Sequence, residues 1–104
     1  MGAISEINPV HSANVPAILI EAGDVAALAA NVKRRGWMIQ NVGTNPLFVR
    51  FATGASATVF HAVLKGGTGD NDGNGGSISQ MGGTVYQGLV SVAGTTPKYV
   101  VTVL

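Results

Sequence analysis

The stretch Gly36–Ala52, GWMIQNVGTNPLFVRFA, decides the fold. Trp37–Val42 is a short apolar-rich run rich in strand formers, and Gly43-Thr44-Asn45-Pro46 is a strong turn signal. Leu47–Ala52 then alternates cleanly, with Leu47, Val49 and Phe51 on one side and Phe48 and Arg50 on the other. A period of two is the signature of a strand with one buried face. Two strands on either side of a Gly/Asn/Pro turn set the pattern for the rest of the chain.

Working outward, Ala57–Lys65 (ATVFHAVLK) reads as the next strand, with Phe60, Ala62 and Leu64 opposed to Val59, His61 and Val63. Residues 66–77, GGTGDNDGNGGS, form the low-complexity segment, where glycine removes the expectation of regular structure. Thr84–Val92 and Lys98–Leu104 follow as two strands, joined through Ala93–Pro97 in what reads as a hairpin. Towards the N-terminus, Ala17–Ala22 is a strand candidate closed by Gly23-Asp24. Val25–Val32 is ambiguous, because its alanines favour helix, but its place between strand candidates favours a strand. Residues 1–15 show no period and contain Pro9, with Pro16 just beyond, so they read as an extended N-terminal arm. The expectation is an all-β domain over residues 16–104 with seven or eight short strands, an antiparallel β-sandwich or jelly-roll-like architecture.

Composition bears on function more than on fold. A chain of 104 residues makes one domain with a thin core. Charged residues make up 11% of it, against about 25% in an average soluble domain. Free monomers use charge to stay apart, so this surface is expected to be covered by further copies or a large partner. No cysteine is present to form disulfides. No apolar run approaches the ~20 residues of a spanning helix, and MGAISEINPV lacks the pattern of a signal peptide. No membrane association is expected.

Catalytic and ligand-binding patterns are sparse. His11 and His61 are the two imidazoles, and no nucleophile-elbow motif accompanies them. Two distant histidines do not make a zinc set. The glycine segment is neither a phosphate loop nor a dinucleotide fingerprint, since no Gly-Lys-Ser/Thr follows it. Asp70, Asp72 and Asn74, with Gly75, match positions 1, 3, 5 and 6 of a calcium loop. The bidentate Glu of position 12 is replaced by Met81. This trio is the candidate metal site, and an exposed turn is the competing reading. Asp70 and Asp72 are also the one carboxylate pair that a polymer-cleaving enzyme would use, on a support too glycine-rich for rigid chemistry. Lys33-Arg34-Arg35 is the basic cluster, but it lacks the aromatic stacking set of a nucleic-acid surface. Arg34, Arg35 and Trp37 are the interface candidates, on the reading that a cation pair and a large aromatic anchor a protein contact. No catalytic residue, cofactor or nucleic-acid partner is expected.

Three segments carry a resemblance: RRGWMIQNVGTNPLFVRF (Arg34–Phe51), VFHAVLKGG (Val59–Gly67) and YQGLVSVAGTTPKYVVTVL (Tyr86–Leu104). Together they resemble small virion structural proteins of tailed bacteriophages. Such chains pair an Arg-Gly-apolar-x-Ile-Gln-Asn strand with an Asn-Pro turn and end in a Gly-x-Val-Ser-Val-Ala-Gly segment. The resemblance implies a non-enzymatic β domain of the decoration or cement type. It would be made in the host cytoplasm, sit on the capsid surface against the major capsid protein and assemble as a homotrimer. The alternative is a receptor- or glycan-binding module of a tail or head fibre, using Trp37, Tyr86 and the Asp70–Asn74 loop.

Overall fold

The computed structural model describes residues 17–20, 26–81 and 85–104, with only the backbone described at 17–20. The expected arm, 1–15, and His11 with it, lie outside the described residues. The all-β expectation holds: the described residues contain no helix, and their strands form two antiparallel sheets. The strands are β1 (Ala17–Ile20), β2 (Gly36–Asn41), β3 (Leu47–Arg50), β4 (Ala62–Leu64), β5 (Ser77–Met81), β6 (Ser91–Gly94) and β7 (Tyr99–Val103). One sheet runs β1-β7-β2-β5 and the other β4-β3-β6.

Alternation explains which side chains meet. In β2, Trp37 and Ile39 are buried while Met38 and Gln40 are half-exposed. Across the ladder Ile39 pairs with Val101 and Asn41 with Tyr99, so β7 delivers Tyr99 and Val101 to the same side. The second sheet answers with Leu47, Val49, Leu64 and Val92, and all eight belong to one apolar cluster. Full burial of each such side chain is worth about 1.5–3 kcal/mol relative to exposure.

Asn41 is one of three buried polar residues of this interior, with Arg34 and Ser91, among the described residues. Its Nδ2 donates to the carbonyls of Asn45 (2.8 Å), Leu64 (3.0 Å) and Lys65 (3.2 Å), and its Oδ1 accepts from Gly43 N–H (3.0 Å). One amide thus ties the end of β2 to the end of β4 in the opposite sheet.

The chain changes sheet after β2, β4, β5 and β6. The expected hairpin of the last two strands is therefore corrected: β6 pairs with β3, whereas β7 pairs with β1 and β2. The connection itself enforces this. Thr96 stands at φ 41°, and Pro97, which has no N–H for a ladder, is buried. Asn45 Nδ2 holds the Thr95 carbonyl and Thr96 Oγ1, while Lys98 O accepts from Val42 and Gly43 N–H. The linker is thus fastened to the β2–β3 turn instead of folding back on β6.

Four other expectations shift. The strand expected over Thr84–Val92 is displaced to β6, Ser91–Gly94, with Val90 in an isolated bridge. Of the Val25–Val32 run, Ala26–Val32 is described, and it forms no strand. Leu28 makes an isolated antiparallel bridge to Val90, and Asn31 O accepts from Arg34 N–H in a turn. The strand expected over Ala57–Lys65 is confined to Ala62–Leu64. Ser56 Oγ accepts from the N–H groups of Thr58 and Val59, so a hydroxyl-stabilised turn replaces its first half. The glycine segment is followed at once by β5, with glycine serving close approach as well as freedom. A Cβ at Gly75 would collide with the Asn41 carbonyl, and one at Gly66 with the Thr44 carbonyl.

Candidate assembly surface

The outer face of the sheet β4-β3-β6 is apolar. Inward Leu47 and Val49 leave Phe48 and Arg50 pointing outward. Phe48 lies between Val63 of β4 and Ala93 of β6 in the ladder. The Phe60 ring packs 5.2 Å from that of Phe48, tilted at 48°. Val59, Phe60 and Val63 remain 44%, 41% and 45% exposed. Arg50, at the end of this strip, turns its Nη1 to the Thr53 carbonyl (2.8 Å). The result is a neutral, aromatic-bearing patch. Covering such area yields about 25 cal/mol per Å², and contiguous exposed apolar patches mark contact surfaces.

Sequence alternation had set Phe60 with Leu64 and apart from Val59 and Val63. The structure sets Phe60 against Phe48, the ladder partner of Val63, and buries Leu64. Phe60 lies ahead of the strand, in the turn Ser56 organises, so the period of two does not reach it.

Past the end of β3 a second group of rings gathers around Phe51, which packs against the core. Phe51 is stacked between Tyr86 (5.1 Å) and His61 (5.2 Å), and Trp37 meets its edge at 5.7 Å. His61 is exposed, and its Nδ1 accepts the Phe51 N–H at 3.0 Å. That bond places the proton of the neutral ring on Nε2. The Tyr86 hydroxyl donates towards the carbonyls of Phe51 (2.9 Å) and Leu89 (3.1 Å).

The interface candidates are corrected by burial. Trp37 is fully buried and Arg34 is 2% exposed, so neither reaches the surface. Arg34 Nη1 donates to the carbonyls of Tyr86 (3.0 Å) and Gly88 (3.2 Å), and Nη2 to that of Ala29. Burial pushes its pKa below the ordinary value, partly offset by Tyr86. It staples the Ala29 and Tyr86–Gly88 segments together and carries no ion pair among the described residues. Arg35 alone of the three is exposed. Nothing in the sequence marks which arginine of the pair turns inward, because both precede β2.

The candidate calcium trio is not gathered as a ligand set. Asp72 Oδ2 accepts from Thr68 N–H (2.8 Å), Thr68 Oγ1 (2.6 Å) and Gly69 N–H (2.8 Å), and Oδ1 accepts from Asn74 N–H (2.8 Å). Asp70 instead pairs with Lys98 Nζ at 3.3 Å. The segment is a carboxylate-organised turn, with Asn71 at φ 58°. The Thr68 hydroxyl, then the Asn74 and Gly69 amides, hold the Asp72 carboxyl well below the usual carboxylate range.

A depressed folded-state pKa stabilises the turn above the ordinary carboxylate range and is lost as pH falls through the lowered value. The amides of Thr68, Gly69 and Asn74 are therefore expected to keep their chemical shifts and exchange protection at pH 4. Loss should come only well below it. Asp72→Asn should abolish that protection at neutral pH; an NMR titration of the three amides checks both.

No family model matches this chain, and no match was found among the curated proteins or the solved structures. The surface therefore has to be read from its own chemistry.

Proposed function

We propose that this chain is a non-enzymatic structural protein of a phage virion that decorates and cements the capsid shell, seated on the major capsid protein. The observation that carries this reading is the apolar patch of Phe48, Phe60 and Val63 on the outer face of the β4-β3-β6 sheet. The low share of charged residues supports it from the sequence side. Many copies on one lattice turn individually weak apolar contacts into firm attachment. Self-assembly belongs to the reading, with three copies the number that the resemblance implies.

The reading takes the two sheets as a β-sandwich of jelly-roll type. The bridge of Leu28 to Val90 stands beside β6, where an eighth strand would complete the smaller sheet. With it, the orders become β1-β7-β2-β5 and β4-β3-β6-Leu28 segment, and the chain crosses between sheets at every step except β3 to β4. That winding supports the jelly-roll reading, a fold used by viral capsid proteins and by lectins alike. Fold analogy alone does not separate those two uses. The receptor-binding alternative loses Trp37, which is buried, and keeps Tyr86 and the exposed Asp70–Asn74 loop.

Incubation with undecorated phage heads tests the reading by cryo-microscopy and co-sedimentation. Ordered copies on the shell are expected, with at least about tenfold weaker binding for Phe60→Asp at an unchanged melting temperature. Bare heads at saturating protein, or undiminished binding by Phe60→Asp, would refute it.

A further inference from the structure

The phase of the β2 ladders fixes what β5 shows to the outside. Val42 N–H donates to Lys98 O, and Leu104 N–H to Gly36 O, so the even-numbered residues of β2 bond to β7. Backbone groups of an antiparallel strand alternate between its two neighbours. Trp37, Ile39 and Asn41 therefore face β5, in agreement with the Asn41 N–H bond to Gly76 O. Opposite them stand Gln80 and Ile78. Ser77, Ser79 and Met81 are left with N–H and C=O groups directed away from β2, along the sheet's edge.

Among the described residues this edge lacks the usual guards. Natural edge strands are protected by charge, proline, a bulge or a covering segment. β5 reads Ser-Ile-Ser-Gln-Met, and residues 73–97 contain no charged side chain. Ser77, Ser79 and Met81 are exposed, Met81 at 57%. The edges of the other sheet differ. Leu64 and Lys65 carbonyls at the end of β4 are taken by Asn41 Nδ2 and Gly76 N–H. Ahead of β6, Val90 exchanges both its backbone bonds with Leu28.

We propose that β5 pairs edge to edge with β5 of a second copy of this chain, antiparallel about a two-fold axis at Ser79. In such a contact residue i meets residue j and j meets i, so a charge near the axis lies close to its own copy. A charge-free strip escapes that repulsion. Centred on Ser79, the register places Ser79 against Ser79, Ile78 against Gln80 and Ser77 against Met81, pairs free of like charge. The two four-stranded sheets become one continuous sheet. The contact stands apart from attachment to the shell, which uses the other sheet.

Copies joined this way come in even numbers: a dimer, or a hexamer where a three-fold contact forms as well. Native mass spectrometry and light scattering of the full chain should return such a mass, and Ser79→Lys should halve it. The paired lysines are expected to weaken association about tenfold or more, with an unchanged circular dichroism spectrum and melting temperature. The chain has no cysteine, so Ser79→Cys introduces a single thiol. Directly opposed residues bonded across the ladder lie about 5.5 Å apart at Cα, within disulfide reach. Ser79→Cys should therefore link into dimers in a glutathione redox buffer, and Ser77→Cys, which faces Met81, should not. A mass of one or three chains at millimolar concentration overturns the pairing, as does equal linking by the two cysteine variants. Shell binding by Ser79→Lys reports on the decoration reading independently, so the two ideas can fail separately.

Discussion

Trp37→Ala is expected to remove about 3–5 kcal/mol of unfolding free energy, a large part of the roughly 5–15 kcal/mol that holds a domain together. The indole is fully buried on the inner side of β2, flanked in the ladder by Gln80 of β5 and Val103 of β7. Its face meets the edge of Phe51 across the core. Alanine would leave a cavity between sheets pinned by their own ladders, which limits collapse into it. Trp37→Phe should cost much less. Among the described residues the indole Nε1 has no hydrogen-bond partner, and removing an unpaired buried donor returns about 1–3 kcal/mol of desolvation cost. Urea unfolding of both variants measures the difference. Equal losses would show that the indole N–H carries no such cost.

Arg34→Met should destabilise the domain by about 3 kcal/mol, although it keeps the apolar stem. Three carbonyls, those of Ala29, Tyr86 and Gly88, would lose the donors that satisfy them. Arg34→Lys should rescue little, because one ammonium cannot reproduce the planar fork that reaches both segments. The damage should be local before it is global. Amide exchange is expected to rise in 85–90 and at Leu28, whose bridge to Val90 the arginine supports. A substitution that left both stability and exchange unchanged would mean that the carbonyls find water instead.

Both residues stood in the sequence as surface contacts, and both are interior. Their residue types were informative, since a tryptophan and an arginine each make strong, directional contacts wherever they lie. Their side of the surface was not. Arg34 and Arg35 are adjacent and chemically identical, and only the carbonyls presented by a loop some fifty residues away distinguish them. The glycine segment divides in the same manner. Its Asp and Asn content marked a turn, while the donors around Asp72 and the pairing of Asp70 with Lys98 depended on the folded loop.

Strand identity was legible in short apolar runs, and in β3 the local period of two brought out the inward face from Leu47 and Val49. β5 was missed because Ser-Ile-Ser-Gln-Met has one strong apolar residue, so its single-faced burial leaves almost no pattern. The all-β class, the low charge and the strong turn at Gly43–Pro46 were thus determined by the chain's own residues. Which sheet each strand joins was decided by tertiary structure alone. Strand pairing is made by backbone groups that every residue carries, and selection among partners comes from contacts distant in sequence. So the last two strands part company at Thr96-Pro97, and Phe60 leaves its strand to join Phe48 on the outer face.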